Sequence, residues 1–76
     1  MTDTKLLEDK IRESGYKRYS IAERMGISAY ALAMKIDNER EFKASEIDAL
    51  CKLLNIDIEE RMRIFFAAKV DFKSTR

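Results

Sequence analysis

The sequence predicts an all-α protein with five helices. Three observations support this prediction: the chain has 76 residues, it contains no proline and only two glycines, and its apolar residues recur at intervals of three and four positions. A chain of this length forms one small domain with a modest core, so we expect a single domain over residues 1–76. The scarcity of glycine and proline favours helices joined by short turns over a sandwich or a barrel.

The first predicted helix carries Leu7 and Ile11, which lie four residues apart among charged side chains and therefore share one face. Asp3 or Thr4 can accept a hydrogen bond from the free amides at its start. Gly15 can end the helix in the left-handed conformation, which glycine adopts at little cost.

The second predicted helix ends at Gly26. Ser20 and Glu23 have the spacing of a capping box, but a start one turn earlier, near Arg18, also fits the sequence. Both starts leave a short helix that stops at the glycine.

The third predicted helix covers residues 29–36, with Ser28 as its N-cap. Together with the second helix it forms a helix-turn-helix over residues 18–36. Gly26 supplies the positive φ that such a turn needs, and Ala22 is small enough to let the two helices cross closely. The inner face that these helices share consists of Ile21, Met25, Leu32 and Ile36.

A polar turn over residues 37–41 follows, in which Asn38 tolerates positive φ. Phe42 then offers a large apolar anchor. The fourth predicted helix covers residues 44–54, where isoleucine and leucines recur at three and four positions, and Asn55 ends it.

The fifth predicted helix covers residues 58–70, because Asp57 and Glu60 have capping spacing and apolar residues continue to residue 70. Residues 71–76 are expected to fray. Residues 69–73 also alternate well enough to form a short strand, so that alternative stays open.

The turn has a specific pattern: Ile21 and Ala22, then three residues, then Gly26, Ile27 and Ser28. This pattern resembles the helix-turn-helix of the lambda-repressor-like, Xre-type family. The segments "KIDNEREF", "EIDALCKLLNI" and "RIFFAAKV" extend the resemblance to small phage and prophage repressors of Gram-positive bacteria. The resemblance implies a five-helix domain that binds operator DNA as a dimer, with the third helix in the major groove.

If the inner face of the third helix packs against the core, its opposite face points outward, where such helices read base edges. The predicted base-contacting residues are Ala29, Tyr30, Ala33 and Met34. The predicted phosphate-contacting residues are Arg18, Ser28, Lys35, Arg40 and Lys43. Phe65 and Phe66 are predicted dimer contacts, because adjacent residues on a helix do not both face inward equally.

The composition argues against several other classes of protein. Histidine is absent and Cys51 is the only cysteine, so we expect no metal site and no usual general base. No nucleophile–base pair or phosphate loop can be assembled, and we predict no enzyme activity, no cofactor and no small-molecule ligand. No apolar run is long enough to cross a bilayer, and the charged N-terminal stretch predicts no signal peptide and a cytoplasmic location.

The sequence is compatible with two functions. The first is a sequence-specific transcriptional regulator that acts as a phage-type repressor on double-stranded operator DNA. The alternative is a protein-interaction module on the same fold that has lost DNA binding. It is motivated by the apolar outer face of the third helix and by a net charge of only +1.

Overall fold

A computed structural model describes residues 1–67 of the chain. Those residues form five helices and no strand, which confirms the all-α prediction. The helices are α1 (Thr4–Ser14), α2 (Arg18–Met25), α3 (Ala29–Ile36), α4 (Ala44–Leu54) and α5 (Ile58–Phe65). None of these helices is long and apolar enough to span a membrane.

The ends of α1 and α2 follow from local backbone chemistry. Asp3 caps α1, since its Oδ1 accepts a hydrogen bond from the Leu6 amide at 3.1 Å. Gly15 ends α1 with a φ of 79°. α2 begins at Arg18, the earlier of the two predicted starts, and its N-cap residue Lys17 makes no side-chain cap.

The fifth helix is shorter than predicted. α5 ends at Phe65 and not at residue 70, because Phe66 leaves the helical conformation with a φ of −127°. The next amide, that of Ala67, donates to the Met1 carbonyl oxygen at 3.1 Å instead of to the preceding turn of the helix. The predicted frayed tail and the predicted short strand, over residues 69–76, lie outside the described residues.

The core lies where all five helices meet. Its largest fully buried side chains are Leu7, Ile21, Leu32, Ile36, Leu50 and Ile64. Three of the four predicted inner-face residues of the helix-turn-helix are among them, while Met25 is only half-buried at the edge. Cys51 is a buried free thiol, and its burial raises the pKa of that thiol.

The N-terminal segment ties the end of α3 to the end of α5. Asn38 has a φ of 66°, and its side-chain amide donates to the Thr2 carbonyl at 2.7 Å and accepts from the Thr2 amide at 2.9 Å. The Thr4 hydroxyl donates to the Ile36 carbonyl at 2.6 Å. On the other side, the Asp3 amide donates to the Ile64 carbonyl at 2.6 Å. We call residues 1–4 with these bonds the N-terminal clamp.

Replacement of Asn38 by glycine tests the clamp. Asn38→Gly keeps the left-handed backbone but removes both hydrogen bonds to Thr2, so we expect the free energy of unfolding to fall by about 2 kcal/mol. Asn55→Gly is the matched control, because Asn55 also has positive φ, 56°, but makes no side-chain hydrogen bond within residues 1–67. Urea unfolding measures the free energy of unfolding of both variants, and equal values would contradict the assignment.

Candidate nucleic-acid interface

The turn between α2 and α3 is closed by backbone hydrogen bonds. The Ile27 amide donates to the Ala22 carbonyl at 3.0 Å, and the Gly26 amide donates to the Glu23 carbonyl at 3.1 Å. Gly26 has a φ of 76°, and a Cβ atom built there would meet nothing within 4 Å. Glycine is therefore favoured by its backbone conformation and not by lack of space.

The third helix starts and packs as predicted. The Ser28 hydroxyl oxygen accepts from the Ala31 amide at 3.0 Å and so caps α3. Leu32 and Ile36 have no solvent exposure and hold the inner face of the helix against the core. The orientation of α3 about its own axis is thereby set, and the opposite face is turned outward.

The four predicted base-contacting residues differ in exposure. Tyr30 is 67% exposed, and Ala29 at the first turn is also exposed. Ala33 and Met34 are half-buried, so they lie at the edge of the outer face. This surface offers methyl groups, a thioether and one phenol, and it therefore suits thymine methyl groups and a single hydrogen bond at Tyr30.

The loop after α3 brings a cation beside this phenol. The Met34 carbonyl accepts from the amides of Glu39 at 2.8 Å and Arg40 at 3.3 Å, which turns the chain back over α3. The Arg40 guanidinium carbon then lies 6.0 Å from the centre of the Tyr30 ring, at the outer limit of a cation–π contact. Tyr30 and Arg40, placed in separate groups by the sequence prediction, form one exposed pair.

Three further phosphate candidates are exposed. Lys43 is exposed at the N-cap of α4. Arg18 is exposed at the start of α2 and pairs with Glu8 at 2.9 Å. Exposed ion pairs contribute little free energy, so a phosphate can take the place of Glu8 at small cost. Ser28 is exposed too, although its hydroxyl oxygen already caps α3.

Lys35 lies elsewhere than the sequence led us to expect. It is buried, and its Nζ donates to Glu46 Oε1 at 2.6 Å between α3 and α4. A phosphate contact needs an exposed ammonium group, and Lys35 lacks one here. The periodicity of α3 places residue 35 at the edge of the inner face, and the long lysine side chain reaches inward from there because Glu46 can receive it.

The two predicted dimer contacts also separate. Phe65 is 4% exposed and packs edge-on against Phe42, with ring centres 5.4 Å apart, so it is a core residue. Phe66 is 54% exposed, and it continues a row with Ile58, 77% exposed, and Met62, 57% exposed. These three residues, spaced by four, form the α5 stripe. The spacing of these three residues is apparent in the sequence. Which apolar side chains of this segment are buried and which are exposed is apparent only in the structure.

Comparison with known proteins identifies the architecture. Residues 7–64, more than half of the chain, match the Cro/C1-type HTH DNA-binding domain. No curated protein and no solved structure matches the chain. The matched region runs from α1 into α5 and includes the complete turn at Gly26.

Acid stability tests the buried pair formed by Lys35 and Glu46. Burial alone would raise the pKa of Glu46, but hydrogen bonds from Lys35 and from the Lys43 amide outweigh it and lower that pKa below 4.5. The stabilisation is therefore complete above about pH 4.5 and is lost as pH falls through the lower, folded-state pKa.

We expect Glu46→Gln to lower the free energy of unfolding at pH 7 by about 3 kcal/mol, because it leaves the Lys35 ammonium buried without a counter-charge. As pH falls from 5 to 2, the free energy of unfolding of the variant should also decrease less than that of the wild-type protein. Denaturant titrations across this range measure both effects, and parallel pH profiles for the two proteins would rule the assignment out.

Proposed function

Because the chain belongs to the family of Cro/C1-type helix-turn-helix DNA-binding domains, we propose that it is a sequence-specific transcriptional repressor that binds double-stranded operator DNA as a homodimer. The observation that carries this proposal is an exposed pair at the outward face of α3. It consists of Tyr30 on the helix and Arg40 in the loop that follows it. The family resemblance of the downstream segments supports a phage or prophage origin. The protein would act in the cytoplasm, where bacterial DNA lies.

In the proposed complex, α3 enters the major groove through its N-terminal half. Ala29 and Ala33 contact thymine methyl groups, and the Tyr30 hydroxyl bonds to a base edge or a phosphate. Met34 adds a polarisable contact at the flank of the helix. Base contacts of this kind select the sequence, while they supply only part of the affinity.

Phosphate contacts supply the remaining affinity. Arg18 at the start of α2, Arg40 in the loop after α3 and Lys43 at the N-cap of α4 are exposed, and Ser28 adds the amides of the α3 N-terminus. Few cations per copy give a modest affinity, and a dimer on two half-sites multiplies it. Repression then follows from steric exclusion of RNA polymerase from the occupied operator.

The α5 stripe supports the dimer. If two copies of α5 pack antiparallel about Met62, Ile58 of each copy lies against Phe66 of the other. Glu59 and Arg63 flank the stripe and carry opposite charges, so the same arrangement brings them close to each other across the contact. Burial of three large side chains per copy gives the association an apolar driving force.

One observation favours the second candidate function, a protein-interaction module without DNA binding. The loop that carries Arg40 also exposes Asp37, Glu39 and Glu41, so the outer surface next to α3 is mixed in charge. Carboxylates repel phosphate, whereas an apolar helix face with mixed charges at its rim is typical of protein contacts.

Salt-dependent DNA binding separates the two candidates. The wild-type protein is expected to bind a duplex selected from a random-sequence library, with affinity that falls steeply as salt rises. Arg40→Ala and Lys43→Ala should each reduce the slope of log affinity against log salt by about 1 per subunit. Fluorescence anisotropy at a series of salt concentrations gives these slopes.

Lys52→Ala is the control, because it removes an exposed cation of α4 roughly 13 Å along the helix from Lys43 and should leave the slope unchanged. Absence of binding at low salt would contradict the repressor and favour the interaction module.

Charge introduced into the α5 stripe tests the dimer. Met62→Glu places a carboxylate at the centre of the proposed contact, so we expect a monomer with stability within about 0.5 kcal/mol of wild type, since the site is exposed in one copy. Tyr19→Glu, at a 64% exposed side chain of α2, should remain dimeric. Sedimentation equilibrium distinguishes the states, and a Met62→Glu protein that is as dimeric as wild type would exclude this interface.

A further inference from the structure

The pair formed by Lys35 and Glu46 links the two elements that flank the proposed DNA surface. Lys35 belongs to the last turn of α3, and Glu46 to the first turn of α4. Glu46 Oε1 accepts from the Lys35 ammonium at 2.6 Å and from the Lys43 amide at 2.8 Å. One oxygen atom thus holds α3 and the N-cap of α4 at a fixed separation.

This pair is unusual among the ion pairs of residues 1–67, because both of its side chains are nearly buried. Their exposed fractions are 9% for Lys35 and 10% for Glu46, whereas every other ion pair in this part of the chain has side chains at least 25% exposed. The ammonium and the carboxylate have both lost most of their water, and each depends on the other for compensation.

The energetics of such a pair point to a role besides stability. Desolvation of two charges costs about as much as their attraction returns, so apolar residues of similar volume are often equally stable or more stable in the same place. An apolar contact, however, tolerates sliding and rotation, whereas a short bond between an ammonium and a carboxylate fixes distance and direction. What the buried pair adds over an apolar pair is therefore geometry.

That geometry concerns DNA binding directly. Tyr30 on α3 and Lys43 at the N-cap of α4 are proposed to contact the same duplex, one at the bases and one at a phosphate. Both contacts form together only if α3 and the start of α4 keep their relative position.

We infer that Lys35 and Glu46 are positioning residues, which set the tilt of α3 against α4 so that base and phosphate contacts are made together. This inference rests on the proposed DNA binding, although the tilt itself can be measured without DNA. Lys35 touches no base or phosphate in this assignment and acts only through the orientation of the helix.

The test replaces the pair by apolar residues of similar size, K35M/E46L. Net charge is unchanged, so long-range attraction to DNA is preserved. We expect the double variant to fold and to melt close to the wild-type temperature, because the apolar contact offsets the loss of the bond from the Lys43 amide. Its affinity for the duplex selected by the wild-type protein should fall about tenfold, the size of one lost base contact, while its affinity for a scrambled duplex stays within about twofold.

The control is K10M/E60L. Lys10 and Glu60 form an ion pair between α1 and α5, and Glu60 also accepts the amide of its own N-cap residue, Asp57. The control therefore removes the same set of interactions at a place remote from α3. It should leave discrimination between the two duplexes unchanged.

Residual dipolar couplings of the free proteins decide the inference separately from DNA binding. A changed or broadened orientation of α3 relative to α4 in K35M/E46L supports it, and an orientation identical to wild type overturns it. If the wild-type protein does not discriminate between duplexes, the proposed function fails, and the couplings alone judge the positioning role. Should K35M/E46L not fold, K35R provides the same two readouts, because it keeps the charge but alters the length and shape of the pair.

Discussion

The orientation of α3 depends on the burial of Leu32 and Ile36. Both side chains have no solvent exposure, and each contributes roughly 1.5–3 kcal/mol through burial. Rotation of α3 about its axis would bring them into water, so the core fixes which face is turned outward. The turn at Gly26 and the cap at Ser28 place the helix at the surface, and the identity of the outer face follows. The Tyr30 and Arg40 pair is exposed as a consequence of what α3 buries.

The N-terminal clamp and the buried pair add a second level of constraint to the same helix. Asn38 and Thr4 hold the end of α3 from one side, and the Lys35–Glu46 pair holds it from the side of α4. The clamp also reaches α5 through the Asp3 amide, so the proposed DNA surface and the proposed dimer surface are joined through a few hydrogen bonds of side chains and backbone. The separation of the two recognition helices in a dimer determines which half-site spacing the dimer can bind. A connection between the two proposed surfaces therefore affects that spacing.

Most of the fold was predictable from local signals in the sequence. Gly26 ends α2, Ser28 caps the start of α3, and Asn55 ends α4 with a φ of 56°, as its position after Leu54 suggested. What could not be predicted depends on partners distant in sequence. Beyond the end of α5 the Ala67 amide donates to the Met1 carbonyl, Lys35 pairs with Glu46 on the next helix, and Phe65 is buried against Phe42. None of these partners leaves a trace in helical periodicity.

The most direct test of the account is a titration of the ¹⁵N-labelled protein with the duplex it selects from a random library, followed by amide chemical shifts. We expect shifts to concentrate on the amides of residues 28–34 and 40–43 and to saturate at one protein copy per half-site, while amides in the middle of α1 stay unchanged. Shifts confined to α5, or no shifts at all at low salt, would contradict the claim that the outer face of α3 binds DNA.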